Sequence, residues 1–426
     1  MLNKLLSVLS AICRTIIASA FWLAGRIFHA VEVHGVEQDP VAPRTYYGIQ
    51  HKRDLDPIII LPSAVFHRGW RGLAGDLRFI LRSDGFTPGY LARLVMYPRL
   101  LSRALRLLAI GPILRWLGAY PVQDLLRPAE EWVREALQVS AENRVDDVFT
   151  SDFIEEFACV VGEDREQIAS YRLSHMLAWR YHHALQQYFG SEILVQSMRR
   201  RLERRMIERI KESIMELNTW VSGGGSLFGS PEGQLSPDGK VSPISSGLHR
   251  TLRHIPSDTS IIPISITYDF MTVKRMRIFV DFASPIEQAS QLPSSELDAR
   301  LRRAWLRSAH ITTTQLASGF LMHTKRKGQT MFTLQDMADS IYHQALELAH
   351  IGRSIDRYLL DKNRSRQRTI AFLTYAEHHN LIRQVGMHTW ECTFDETPIQ
   401  VRPREVGYEQ SPLVYAWNEL EEILSV

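Results

Sequence analysis

Hydrophobic positions change period several times along the chain. Leu2, Leu5, Leu6, Val8, Leu9, Ile12, Ile16, Ile17, Phe21, Trp22, Leu23, Ile27 and Phe28 make the N-terminal stretch strongly apolar, interrupted by Lys4, Arg14 and Arg26. A membrane-spanning helix needs about 20 mostly apolar residues, and Arg14 falls near the middle of any such window. The pattern predicts a helix lying in a membrane interface with its basic side chains reaching headgroups. The alternative is a helix docked on the protein's own core. Ala18-Ser19-Ala20 could be a signal-peptide cleavage site, but the apolar run continues through Phe21-Trp22-Leu23-Ala24.

Shorter apolar runs predict strands. Tyr46, Tyr47 and Ile49 suit one, Ser226-Leu227-Phe228 another, and Ile261 to Tyr268 and Ile278 to Phe282 two more. Between about Leu125 and Trp220 the pattern turns helical. Leu202, Met206, Ile210, Ile214 and Leu217 recur at spacings of three or four, with arginines and glutamates interleaved. Gly223-Gly224-Gly225 then ends the helix. From about Glu287 onward the chain is largely helical. Ile311 to Ser318 and Thr333 to Met337 have the pattern of successive capped helices.

From Phe66 to Val122 arginines mix with large apolar residues. In Arg99 to Leu108 they fall opposite leucines at near-helical spacing. Such a face suits an anionic lipid or a phosphorylated substrate, and an ordinary solvated helix face is the alternative. The net charge of +3 is too small to argue for nucleic acid. The glutamates among the arginines at 199–211 would repel phosphates. Cys13, Cys159 and Cys392 are scattered and odd in number, which points to a reducing compartment. His175, His182 and His183 lack a zinc-ligand spacing and are taken as structural or surface residues. Neither a Walker loop nor a Gly-x-Ser-x-Gly elbow occurs.

The candidate chemistry lies in Tyr46 to Pro57. Pro57 suits a first helical position, which places Asp56 at the N-cap and His51 on the turn before it. A carboxylate that accepts the imidazole Nδ1 proton fixes the tautomer and leaves the other nitrogen to act as a base. An ordinary capped helix with an incidental histidine is the alternative.

His51-x4-Asp56, then Pro231-Glu232-Gly233 after a short strand, then the strand carrying Pro263, resembles the glycerolipid acyltransferase family (glycerophosphate and lysophosphatidate acyltransferases). Val31 to Glu37 is similar to the strand that opens that family's catalytic domain. The resemblance implies an α/β fold, a mixed sheet flanked by helices. It would carry an N-terminal membrane-associating segment over 1–30 and a catalytic domain over 31–290. A helical insertion would fall at about 125–220, and a mainly helical region at 291–426. It implies Glu232 and Gly233 at the acceptor; His51 is assigned as general base with Asp56 as its orienter, and backbone N–H groups near Gly233 could serve the oxyanion. The co-substrate would be acyl-CoA or acyl-carrier protein, with membrane lipids as partners at the cytoplasmic face, and the chemistry requires no metal.

Two features depart from the family. Gln123 and Asp124 stand where its second motif usually carries an arginine, and Glu232-Gly233 is followed by Gln234-Leu235 rather than by a segment with an arginine. Lys240, Arg250 or an upstream arginine would have to hold an acceptor phosphate instead. A non-phosphorylated acceptor, a catalytically inactive lipid-binding relative, and a thioesterase acting on water are the alternatives.

Overall fold

The computed structural model describes residues 2–394 and 411–426, apart from residues 54–55, 70–71, 73–74, 83–85, 87–110, 117, 123–126, 141 and 234. The chain forms two compact units, one of residues 1–79 with 218–426, the other of residues 80–217.

The first unit is built on a mixed, mostly parallel sheet flanked by helices. Its strands are β1 (Ala30–His34), β2 (Thr45–Ile49), β3 (Leu77–Arg82), β4 (Ser226–Gly229), β5 (Ser260–Asp269) and β6 (Arg277–Phe282). They lie in the order β1-β6-β5-β2-β4-β3. β2 pairs in parallel with β4 and β5, β4 with β3, and β1 with β6; only β5 and β6 run antiparallel among these. Every residue of β2, β4 and β5 is buried. That explains why these strands read as unbroken apolar runs rather than alternating ones: a central parallel strand is covered on both faces.

The helices of this unit are α1 (Leu2–Phe28), α2 (Asp56–His67), α3 (Ser294–Ser308), α4 (Thr313–Arg326), α5 (Leu334–His350), α6 (Lys362–His378) and α7 (Pro412–Leu424). Capping boxes start two of them, Thr312 with Gln315 and Thr333 with Asp336, as the sequence pattern predicts. The region after residue 290 also holds three short antiparallel strands, Met331–Thr333, Ile382–Gly386 and Thr389–Cys392. They are too short to show a period of their own.

α1 packs on α2 and buries Ala11, yet Ile12, Ile16, Leu23, Ile27 and Phe28 are all at least half exposed. Within it, Ala11–Phe28 is long and apolar enough to cross a membrane, by length and composition. Arg14 is half-buried, with Asp76 acting on its guanidinium, rather than fully turned outward.

The second unit has its own core, formed by Trp132, Phe149, Phe153, Phe157 and Tyr181 with their aliphatic neighbours. In the helix Gln196–Ser222, Leu202, Met206 and Leu217 are buried and Ile210 and Ile214 half-buried, which is the predicted face. Arg199 pairs with Glu203 at 2.9 Å and Arg209 pairs with Glu135. His182 lies 3.5 Å from Glu130 and His175 stacks on Tyr171, so both are structural. All three cysteines are free. The basic segment Arg99 to Leu108, Gln123 and Asp124 lie outside the described residues.

Candidate functional site

Parallel pairing sets the site. β2 and β4 are neighbours with Gly48 opposite Gly229. His51 and Glu232 each lie three residues beyond that pair, so the two strands deliver them side by side at their carboxyl ends. Ligand and reaction sites in parallel sheets gather at that edge because the loops leaving adjacent strands diverge there. Glu232 Oε2 accepts the backbone N–H of His51 at 2.7 Å, and Oε1 accepts that of Ser242 at 2.7 Å. The His51 carbonyl in turn accepts the N–H of Ser236 at 3.1 Å.

His51 Nδ1 is 3.3 Å from Asp56 Oδ2, with the ring 20% exposed and the carboxylate fully buried. The same Oδ2 accepts the backbone N–H groups of Lys52 at 2.6 Å and Arg53 at 2.7 Å. The other oxygen accepts the Tyr268 hydroxyl. This corrects the expected N-cap. Asp56 is the first residue of α2, and its carboxylate turns back to cap the preceding turn instead of the helix. The difference follows from the donors: the 51–53 turn presents two amides and an imidazole to one oxygen. A carboxylate held by so many donors cannot swing, so the imidazole it touches is held in one tautomer. Arg53 lies over the ring of Tyr268 at 4.2 Å, joining that wall of the site to the turn.

The predicted site residues divide by exposure. His51 is accessible; Asp56 and Glu232 are buried, the latter 3% exposed with both oxygens on backbone amides. In this arrangement Glu232 holds two loops together. Gly233 is exposed at φ +71°, a conformation that favours glycine. Lys240 and Arg250 are exposed. Lys240 shares the Glu232 loop, where its carbonyl accepts the Ser236 hydroxyl at 2.6 Å.

Sequence reasoning missed the support that α7 gives. Lys52, inside the His51–Asp56 turn and 3% exposed, pairs with Glu419 of α7. Glu422 accepts the Val241 N–H at 2.7 Å and pairs with Arg302, and Asn418 donates to the Asp238 carbonyl at 3.0 Å. A side chain at Gly239 would meet the Tyr415 carbonyl at 2.2 Å, so only glycine allows this close approach. α7 thus fastens both loops of the site. A Glu-rich amphipathic helix near residue 420 carries no sequence mark of such a partner.

Burial pushes the Glu232 carboxyl up to about 7, against the lowering by its two backbone N–H bonds. The folded state therefore keeps a proton that the unfolded chain has already lost. The resulting stability is complete below about pH 4.5 and declines as pH rises to about 7, by on the order of 3 kcal/mol. Glu232→Gln removes this titration, although its amide NH2 faces a backbone N–H and lowers stability at every pH. Thermal midpoints of wild type and Glu232→Gln, followed from about pH 5 to about pH 8, should show the wild type falling more steeply than the variant. Parallel curves would place the titration elsewhere.

No protein-family model and no curated protein sequence matches the chain. Among solved structures it is similar to the crystal structure of the 1-acyl-sn-glycerophosphate (LPA) acyltransferase PlsC from Thermotoga maritima. The identity is 14%, over 68% of this chain and 78% of that one, with a TM-score of 0.32. At that score the likeness carries no functional weight.

Proposed function

We propose that the protein is an acyltransferase. It moves a fatty acyl group from an acyl thioester, acyl-CoA or acyl-carrier protein, to a hydroxyl of a glycerolipid precursor of the glycerol-3-phosphate or lysophosphatidate type. The observation that carries the reading is the meeting of His51 and Asp56, which follow β2, with Glu232, on the loop after the distant strand β4. The His-x4-Asp and Pro-Glu-Gly motifs supply the reaction class.

Asp56 holds the Nδ1 proton of His51, so Nε2 takes the proton of the acceptor hydroxyl as its oxygen attacks the thioester carbonyl. The tetrahedral intermediate collapses with loss of the thiolate, and the imidazolium returns its proton to the leaving sulfur. A thioester is already activated, so this chemistry requires no enzyme nucleophile. Glu232 fixes the height of the His51 turn, and backbone N–H groups near Gly233 stabilise the oxyanion. Release of free coenzyme A from acyl-CoA, measured with and without lysolipid, tests the reading. Acceptor-dependent release supports it; equal release in both identifies a thioesterase, and none identifies a lipid-binding relative.

Gln123 and Asp124 in the second motif and Leu235 in the third, in place of arginines, favour a second reading, in which the acceptor is a non-phosphorylated alcohol. An acceptor screen separates the two.

The exposed apolar face of α1 brings the site to its lipid substrate at the cytoplasmic face of the membrane. Each large apolar side chain withdrawn from water contributes roughly 1.5–3 kcal/mol. Ile12→Asp with Ile16→Asp should therefore shift the protein from floated vesicles to the soluble fraction, with the circular dichroism spectrum unchanged. Unaltered flotation would refute an interfacial role for this face.

A further inference from the structure

A second group of chemically capable side chains lies on the other side of β5 from β2. His34 ends β1, Asp281 stands opposite it in register on β6, and His310 follows the C-terminus of α3. Their ligand atoms all lie within 4.8 Å of one another. Asp281 is 3% exposed and His310 8%. We infer that His34, Asp281 and His310 form a binding site for a zinc-class divalent transition-metal ion.

Three observations carry this. First, Asp281 Oδ2 is buried without a hydrogen-bond partner, while Oδ1 of the same carboxylate pairs with His310 Nδ1 at 2.7 Å. Native proteins satisfy about nine in ten such buried atoms, and a cation bound at Oδ2 would satisfy it. Second, the donors match: two imidazoles and one carboxylate suit Zn2+ and neighbouring transition ions rather than Mg2+ or Ca2+, which take oxygen. Third, the group opens on a pocket of about 970 Å³, lined among others by Glu37, Arg300, Arg303 and Arg307. Three protein ligands with an open fourth position leave room for water or a small anion, and the arginines favour an anion.

Tetrahedral ligands about 2.1 Å from zinc stand roughly 3.5 Å apart. Binding would open the 2.7 Å His310–Asp281 contact, and His34, exposed and stacked on His310 with ring centroids 4.5 Å apart, would rotate off that ring to bring a nitrogen to the ion. The ion would tie the β1 end to β6 and to the end of α3. None of its ligands belongs to the His51 group, so this inference does not depend on acyl transfer.

The test uses the full chain, stripped with chelator and dialysed, then titrated with Zn2+ by calorimetry and with Co2+ by visible absorption. One ion per chain is expected, with a cobalt spectrum of tetrahedral intensity and a raised thermal midpoint. His34→Ala, at an exposed position, should weaken Zn2+ binding at least tenfold and abolish the cobalt spectrum. Asp281→Asn should do the same, and His51→Ala should leave the stoichiometry intact. If wild type takes up no stoichiometric Zn2+, or His34→Ala binds it as wild type does, the site is a structural His–Asp contact and the inference fails.

Discussion

His51→Ala will lower acyl transfer by roughly 100- to 10,000-fold, the range that a general base contributes. The ring is partly exposed, and the buried Asp56 carboxylate keeps the Lys52 and Arg53 N–H groups and the Tyr268 hydroxyl when the ring is lost, so the thermal midpoint should stay near wild type. Asp56→Asn should lower turnover as well, by a different route. An amide that presents NH2 to the turn meets the Lys52 and Arg53 N–H donors, and the imidazole loses the acceptor that fixes its tautomer. The signature to measure is a fall in kcat with little change in KM for the thioester. Retention of full turnover by His51→Ala would remove the base from the mechanism.

The second large effect concerns stability. Lys52 and Glu419 are 3% and 5% exposed and pair across the interface between the His51 turn and α7. Lys52→Met alone leaves a buried carboxylate without its cation, which costs about 3–5 kcal/mol. Lys52→Met with Glu419→Met replaces the pair by apolar side chains and should recover most of that loss, since a buried ion pair often does little better than a hydrophobic one. Chemical unfolding of the two singles and the double closes the cycle. Additive losses would show that the two groups do not act on each other in solution. Because the turn that carries Lys52 also carries His51, the single variant should lose activity along with stability.

The fold was partly legible because some signals are local. β2, β4 and β5 were visible as apolar runs, and Thr312 with Gln315 announced α4 through a pattern four residues long. Strand order was not legible: Gly48 meets Gly229 only because two distant runs share a register, and neither run states its partner. At the site, motif spacing was enough to pick out His51, Asp56 and Glu232, but not what their side chains do. Asp56 at the mouth of a helix looks like an N-cap because the same carboxylate could accept from either side, and only the folded 51–53 turn decides for the earlier amides. The Lys52–Glu419 contact and the His34–Asp281 register join residues more than 200 positions apart, and carry no spacing for the eye to find.

The most direct test of the account follows the acyl carbon itself. Purified protein given acyl-CoA and a panel of glycerolipid and non-phosphorylated alcohols is analysed by mass spectrometry for new esters. The account predicts an ester on at least one acceptor hydroxyl with wild type and none above background with His51→Ala. Free fatty acid as the sole product, or an ester yield unchanged by His51→Ala, would contradict it.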